Sequence, residues 1–332
     1  MSRRVLRSSL AMAVVCGSIT VDALRPARVE SQSAIAANAV TARLENGYVQ
    51  VGSRFFLVGG TGGAKPVEIY DPATATWARG AVSPVEMHHF QGVAYDGKLY
   101  VVGAMTGNYP TEPPLPNIYI YDPAVDRWSV GPMIPANRRR GGAGVVVHDG
   151  LIYVIAGITN GHTDGHVRWV DTFNPRTGAW AMLPDAPRAR DHFQAAIIGG
   201  KLYAAGGRRS SAATGQTFEL TVPDVDVFDL ATKQWATLPP SANLPTPRAG
   251  CAAVVVNGRL LIIGGESGAQ ATAHADVESF DPATSRWTRL APLGMGRHAT
   301  QGILHGGQIL LAAGSRMRGA SPVNSQEAYT PR

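Results

Sequence analysis

Short apolar runs separated by turn signals recur along most of the chain. Around residues 251–290 they fall at 251–256, 259–263, 277–280 and 286–290, four stretches of strand character in one unit. Asn257-Gly258 lies between the first two. Asp96-Gly97, Asp149-Gly150, Gly199-Gly200 and Gly306-Gly307 hold the same place elsewhere. Such dipeptides suit two-residue hairpins, whose central residues need positive φ. The first run of each unit is rich in small residues, as in Ala252-Ala253, Ala195-Ala196 and Gly142-Ala143-Gly144. That composition fits a crowded innermost strand.

The pattern is a repeat. Tyr70, Tyr121, Phe173, Phe228 and Phe280 each stand seven residues before a tryptophan: Trp77, Trp128, Trp180, Trp235 and Trp287. Upstream of each aromatic, an apolar run ends in two small residues: Gly59-Gly60, Gly103-Ala104, Ala156-Gly157, Gly206-Gly207 and Gly264-Gly265. A sixth unit carries Ala313-Gly314 and Tyr329 but stops before any tryptophan.

This arrangement of apolar strand, small pair, aromatic and tryptophan resembles the kelch repeat over nearly the whole chain after the first residues. The resemblance implies an all-β fold, a six-bladed kelch β-propeller with one four-stranded blade per repeat. The sixth blade lacks a fourth strand. Counting back from the first blade, residues 28–34 are expected to supply it and close the ring.

Residues 1–23 carry Arg3, Arg4 and Arg7, an apolar stretch over 10–21, and small or apolar residues at Val21 and Ala23. This is the layout of a secretory signal peptide, and the apolar stretch is too short to span a membrane. We therefore expect an exported protein, periplasmic or secreted, with a single propeller over 24–332, monomeric and with no membrane span. Once Cys16 leaves with the leader, Cys251 remains, so no internal disulfide is expected. The formal charge of +6 permits acidic ligands. The longest basic cluster is Arg138-Arg139-Arg140, too short to favour nucleic acid.

In a four-stranded meander, the second–third loops and the interblade linkers share one face. Those segments vary most here, so binding groups are expected there. Sixteen residues before each small pair stand Arg43, Met87, Arg140, Arg190, Arg248 and Arg297. Five arginines at equivalent positions should ring the channel mouth and favour a carboxylate, sulfate or phosphate. His89 and Arg208 join them as expected ligand contacts. Glu266, His88, His192 and His298 are the candidates for general acid–base work. Only His162 and His166 offer close metal-ligand spacing, on a Gly-rich loop, and no metal or cofactor is expected.

The function expected is binding or processing of a carbohydrate, anionic in character, at that mouth. The alternative is a non-catalytic protein-interaction module recognising acidic peptides. Whether the chain is an enzyme stays open at this point. Exported sialic-acid mutarotases are similar in repeat count and export. Galactose oxidase-like copper enzymes are similar in fold, but Cys251 sits among Ala and Val and reads as structural.

Overall fold

The computed structural model describes Met1, residues 33–36 by their backbone, and residues 41–332. The expected signal peptide lies outside the described residues, apart from Met1. Six four-stranded antiparallel sheets form the blades of a propeller. The first blade runs Asn46–Val51, Arg54–Gly59, Pro66–Asp71 and Thr76–Val82. The fifth, which showed the pattern most clearly, runs Ala252–Val256, Arg259–Ile263, Val277–Asp281 and Arg286–Arg289. In the first five blades, neighbouring strands follow one another in the chain.

The seven-residue spacing is a register. Tyr70 faces Trp77 across the third and fourth strands, as Phe173 faces Trp180 and Phe280 faces Trp287. Their ring centroids lie 5.1 Å apart in all three pairs, within the range of favourable aromatic contacts. The five tryptophans are half-buried, covering the outer edge of the core rather than sitting inside it. The hairpin dipeptides take the backbone expected of them: Asp96, Asp149 and Asn257 have φ of 46–49° and Gly97, Gly150 and Gly258 have φ of 72–76°.

The sixth blade consists of Gly302–His305, Gln308–Ala312 and Gln326–Tyr329, completed by Ser33–Ala36. Ser33 pairs with Tyr329 and Ala36 with Gln326, antiparallel. The closing strand therefore lies slightly later than the expected 28–34. Counting back at a fixed repeat length misses the short connection into the first blade. Among the described residues, no helix is long and apolar enough to cross a membrane.

Candidate functional site

The five repeat arginines do not open into the channel mouth. Each is at most 1% exposed and turns into its own blade. Each donates to the carbonyl sixteen residues on: Arg43 to Gly59, Arg140 to Ala156, Arg190 to Gly206, Arg248 to Gly264 and Arg297 to Ala313. Each also pairs with a carboxylate of the third strand, at 2.6–3.0 Å: Glu68, Asp171, Asp226, Glu278 and Glu327 respectively. The expectation of a free arginine ring is corrected by these partners. A guanidinium whose fork is already filled has little left to offer a ligand. The acid always stands two residues before the repeat aromatic, a signal the sequence carried. Blade two changes both members together. Met87 replaces the arginine and Tyr119 the acid, and both are buried in one apolar cluster.

The linker residue after each arginine position bridges to the second–third loop. His88 pairs with Met105, Asp191 with Arg208, Ala249 with Glu266 and His298 with Ser315. The next residue around the ring is left-handed in every blade: Glu45, His89, Gly142, His192, Gly250 and Ala299, with φ of 52–63°. These six form a hydrogen-bonded circle about the axis. His89 N–H donates to Glu45 O, Gly142 to His89, His192 to Gly142, Gly250 to His192 and Ala299 to Gly250. Asn46 N–H closes it on Ala299 O. The space at this throat is about 30 Å³, enough for about one water. Glycine fills two positions without strain. At Glu45, His89 and His192 the conformation is unfavourable, and strain of this kind concentrates at functional sites.

Above the throat, three histidines from three blades meet. His89 and His192 come from linkers and His162 from the second–third loop of blade three. Their ring centroids are 4.6–4.9 Å apart. His162 Nδ1 lies 2.6 Å from Glu112, and His192 Nδ1 lies 2.5 Å from Asp191. His88 Nδ1 lies 2.5 Å from His89 Nδ1, and His88 Nε2 is 3.1 Å from the Gly107 carbonyl. Burial, then the neighbouring imidazoles, push His89 well below the usual histidine range; burial, then Arg208 and the imidazoles, do the same to His192. Burial lowers His88 as well, against the pull of Glu112.

Arg208 donates to Glu266 at 2.5 Å, and its Nε to Ser210. These two residues occupy the same repeat position in adjacent blades, directly after the small pair. Burial pushes the Glu266 carboxyl up, but His298, Arg208 and the Gly319 N–H outweigh it and hold it below the ordinary value. Burial and Glu266 push Glu45 up to about 8, with Arg208 opposing. His298 Nε2 lies 2.8 Å from the Met317 carbonyl and 3.4 Å from Glu266.

A cavity of about 540 Å³ opens over these groups on the loop face. Glu45, His89, Glu112, His162, Arg208 and Glu266 supply its polar lining, and Tyr109 and Phe218 are among its apolar walls. Thus His89, Arg208 and Glu266 line the cavity and His88, His192 and His298 are buried against them, whereas Arg43, Arg140, Arg190, Arg248 and Arg297 turn away into their blades. Sequence reasoning missed Glu45, Glu112, Tyr109 and Phe218. Glu45 could have been found, since it shares the repeat position of His89 and His192.

Residues 134–314 match the KLHDC2/KLHL20/DRC7 Kelch-repeats domain. The chain is 30% identical over 305 residues to "Kelch-like protein terF" of Aspergillus terreus, a match covering 87% of this chain and 64% of that protein. It is 24% identical over 249 residues to Kelch-like protein 25 of Xenopus tropicalis, covering 72% of this chain and 39% of the relative. The chain thus spans less than two thirds of the length of these relatives. The solved "Structure of YjhT" superposes with a TM-score of 0.74 at 16% identity, covering 89% of this chain and 97% of that one, a likeness of fold.

Proposed function

The chain belongs to the kelch-repeat family, and from that premise we propose that it is an exported, monomeric propeller that binds and processes a small hydroxylated ligand of the carbohydrate class. The observation that carries this is the loop-face cavity of about 540 Å³, a size suited to a sugar, with aromatic walls and converging buried polar groups. Tyr109 and Phe218 offer flat apolar surfaces to a sugar ring. Glu45, Glu266 and Arg208 offer hydrogen bonds of fixed direction, and the carboxyls supply acid–base groups for ring-opening or epimerisation.

The charge balance supports a neutral ligand over an acidic one. Glu112, Asp191 and Glu266 are buried near one buried guanidinium, Arg208, which Glu266 already holds, and Glu45, pushed up to about 8, adds no positive charge. The five repeat arginines contribute nothing free to the mouth. A second reading, a protein-interaction module, draws support from Val82, Val130, Met133 and Met182. These are 58–74% exposed along the outermost strands of three neighbouring blades.

A thermal-shift and calorimetric screen of neutral sugars, acidic sugars and acidic peptides tests the proposal. A ligand at about 100 Kd should stabilise the fold by roughly 2.7 kcal/mol. We expect a neutral saccharide to bind, and Phe218→Ala and Glu266→Gln to weaken it. Binding of acidic peptides alone, insensitive to both substitutions, would establish the interaction reading instead.

A further inference from the structure

We propose that His89, His162 and His192 bind one zinc-class divalent cation at the floor of the loop-face cavity. One ring nitrogen from each, all three residues being buried, lies within 4.8 Å of the others. The hydrogen bonds around them decide which nitrogen that is. The Asp191 carboxylate takes the Nδ1 proton of His192, and Glu112 takes that of His162. The Gly107 carbonyl can only accept, so His88 carries its proton on Nε2. His88 Nδ1 is then an acceptor, and His89 Nδ1 must donate to it. Each of the three rings therefore presents an Nε2 lone pair.

Three lone pairs directed into one buried space, without a donor among them, make a poor arrangement for a protein alone. His192 Nε2 is fully buried and has no hydrogen-bond partner among the described residues. A buried polar atom in that state calls for a partner such as a bound ion. The arrangement also matches what a metal asks for. Histidine ligands are oriented by a carboxylate or similar acceptor on the far nitrogen, which fixes the tautomer and raises ligand basicity. Here Asp191, Glu112 and His88 are those acceptors.

Neutral imidazoles are borderline ligands that suit zinc, and three of them leave a fourth tetrahedral position open. With Zn–N of about 2.0–2.1 Å the three nitrogens would stand about 3.3 Å apart, so the rings must draw together slightly. His89 and His162 line the cavity, so the open position faces it. Glu45 Oε1, 3.5 Å from His89 Nε2, stands beside that position. A cation there would polarise a ligand oxygen or a bound water. Metal binding itself does not depend on the carbohydrate reading; only the identity of what the metal acts upon does.

The test uses the whole chain, stripped with a chelator and titrated calorimetrically with zinc sulfate, then with cobalt(II) for its visible spectrum. One zinc per chain and a tetrahedral cobalt spectrum are expected. His162→Ala removes a buried partner of Glu112 and should abolish the cobalt spectrum, and circular dichroism of the metal-free variant checks that the blades still form. Asp191→Asn should weaken zinc by roughly 10–100-fold, the usual effect of losing an outer partner. His148→Ala, remote from the cavity, should change nothing. Absence of stoichiometric zinc binding, or equal binding by His162→Ala and the unaltered chain, would overturn the proposal. Either result leaves the sugar screen standing, and failure of that screen leaves the zinc titration standing.

Discussion

Gln91 grips the backbone of Ala195 from two blades away. Its Oε1 accepts the Ala195 N–H at 2.9 Å, and its Nε2 donates to the Ala195 carbonyl at 3.0 Å. Gln194 in turn donates to the Thr300 carbonyl at 3.0 Å, and Gln301 donates to that of Gly92 at 3.1 Å. Blades two, four and six are thus cross-braced below the throat in a closed triangle. The equivalent positions of blades one, three and five are Gly47, Gly144 and Ala252, which leave room for the amides. Truncating Gln91 would strand the buried N–H groups of Val145 and Ala195. We expect Gln91→Ala to cost about 2–3 kcal/mol in denaturant unfolding. A change below about 0.5 kcal/mol would show that the triangle does not brace the ring.

The repeat arginines should behave as structural ion pairs. Arg248→Ala would leave Glu278 charged and buried, and we expect a loss of about 3–5 kcal/mol. Arg248→Met combined with Glu278→Leu should recover most of it, because blade two already replaces both partners by Met87 and Tyr119. A double-mutant cycle read by urea melts checks this. The double variant should also bind any cavity ligand as the unaltered chain does.

Much of this fold was legible because its repeat is short and its register is fixed. Seven residues between aromatic and tryptophan is the length of one hairpin, so Tyr121 and Trp128 had to meet. The arginine partners were hidden by loop length. Arg43 and Glu68 are 25 residues apart, but Arg190 and Asp226 are 36 apart, because the second–third loops differ. Counting from the aromatic instead of the arginine would have aligned them. The histidine cluster was less accessible still. His89 and His192 share a repeat position in two linkers, but His162 stands in a second–third loop of another blade, and only closure of the ring brings the three together. The spacing of His162 to His166, the sole local hint, pointed to the wrong pair: His166 lies against the Ser210 carbonyl instead.

Asp126 links the first two blades in a pH-dependent way. Its Oδ1 accepts the Tyr121 hydroxyl at 2.6 Å and the Ala81 N–H, from the neighbouring blade, at 2.7 Å. The Tyr121 bond first, then the Ala81 bond, hold its carboxyl below the ordinary value. The unfolded chain therefore binds this proton more readily than the folded one. The stabilisation is present above the unfolded pKa of about 3.9 and disappears as pH falls through the folded value. Asp126 is exposed, so the effect at pH 7 should stay below about 1 kcal/mol. Asp126→Asn should be less stable than the unaltered chain at pH 7, and the gap should close as pH falls through the folded-state value. A gap that widens in acid would contradict the assignment.

The closing strand makes the sharpest demand on the termini. Ser33–Ala36 covers Gln326–Tyr329, whose Glu327 and Tyr329 are themselves buried. Glu327 holds Arg297 at 3.0 Å, and the Tyr329 hydroxyl donates to the Ala291 carbonyl at 2.7 Å. Without the closing strand, the row of N–H and C=O groups along 326–329 becomes an open edge, ready to pair with another chain. A chain beginning at Ser31 should melt like the longer one. A chain beginning at Ala37 should melt at clearly lower temperature and associate with rising concentration, measured by calorimetry and sedimentation. The same truncation should leave Gln91 and its partners in place, since their triangle lies on the innermost strands. Loss of stability should therefore begin at the sixth blade, with hydrogen exchange fastest in 302–329. Equal melting temperatures for the two chains would mean that the ring is held shut by the innermost strands alone.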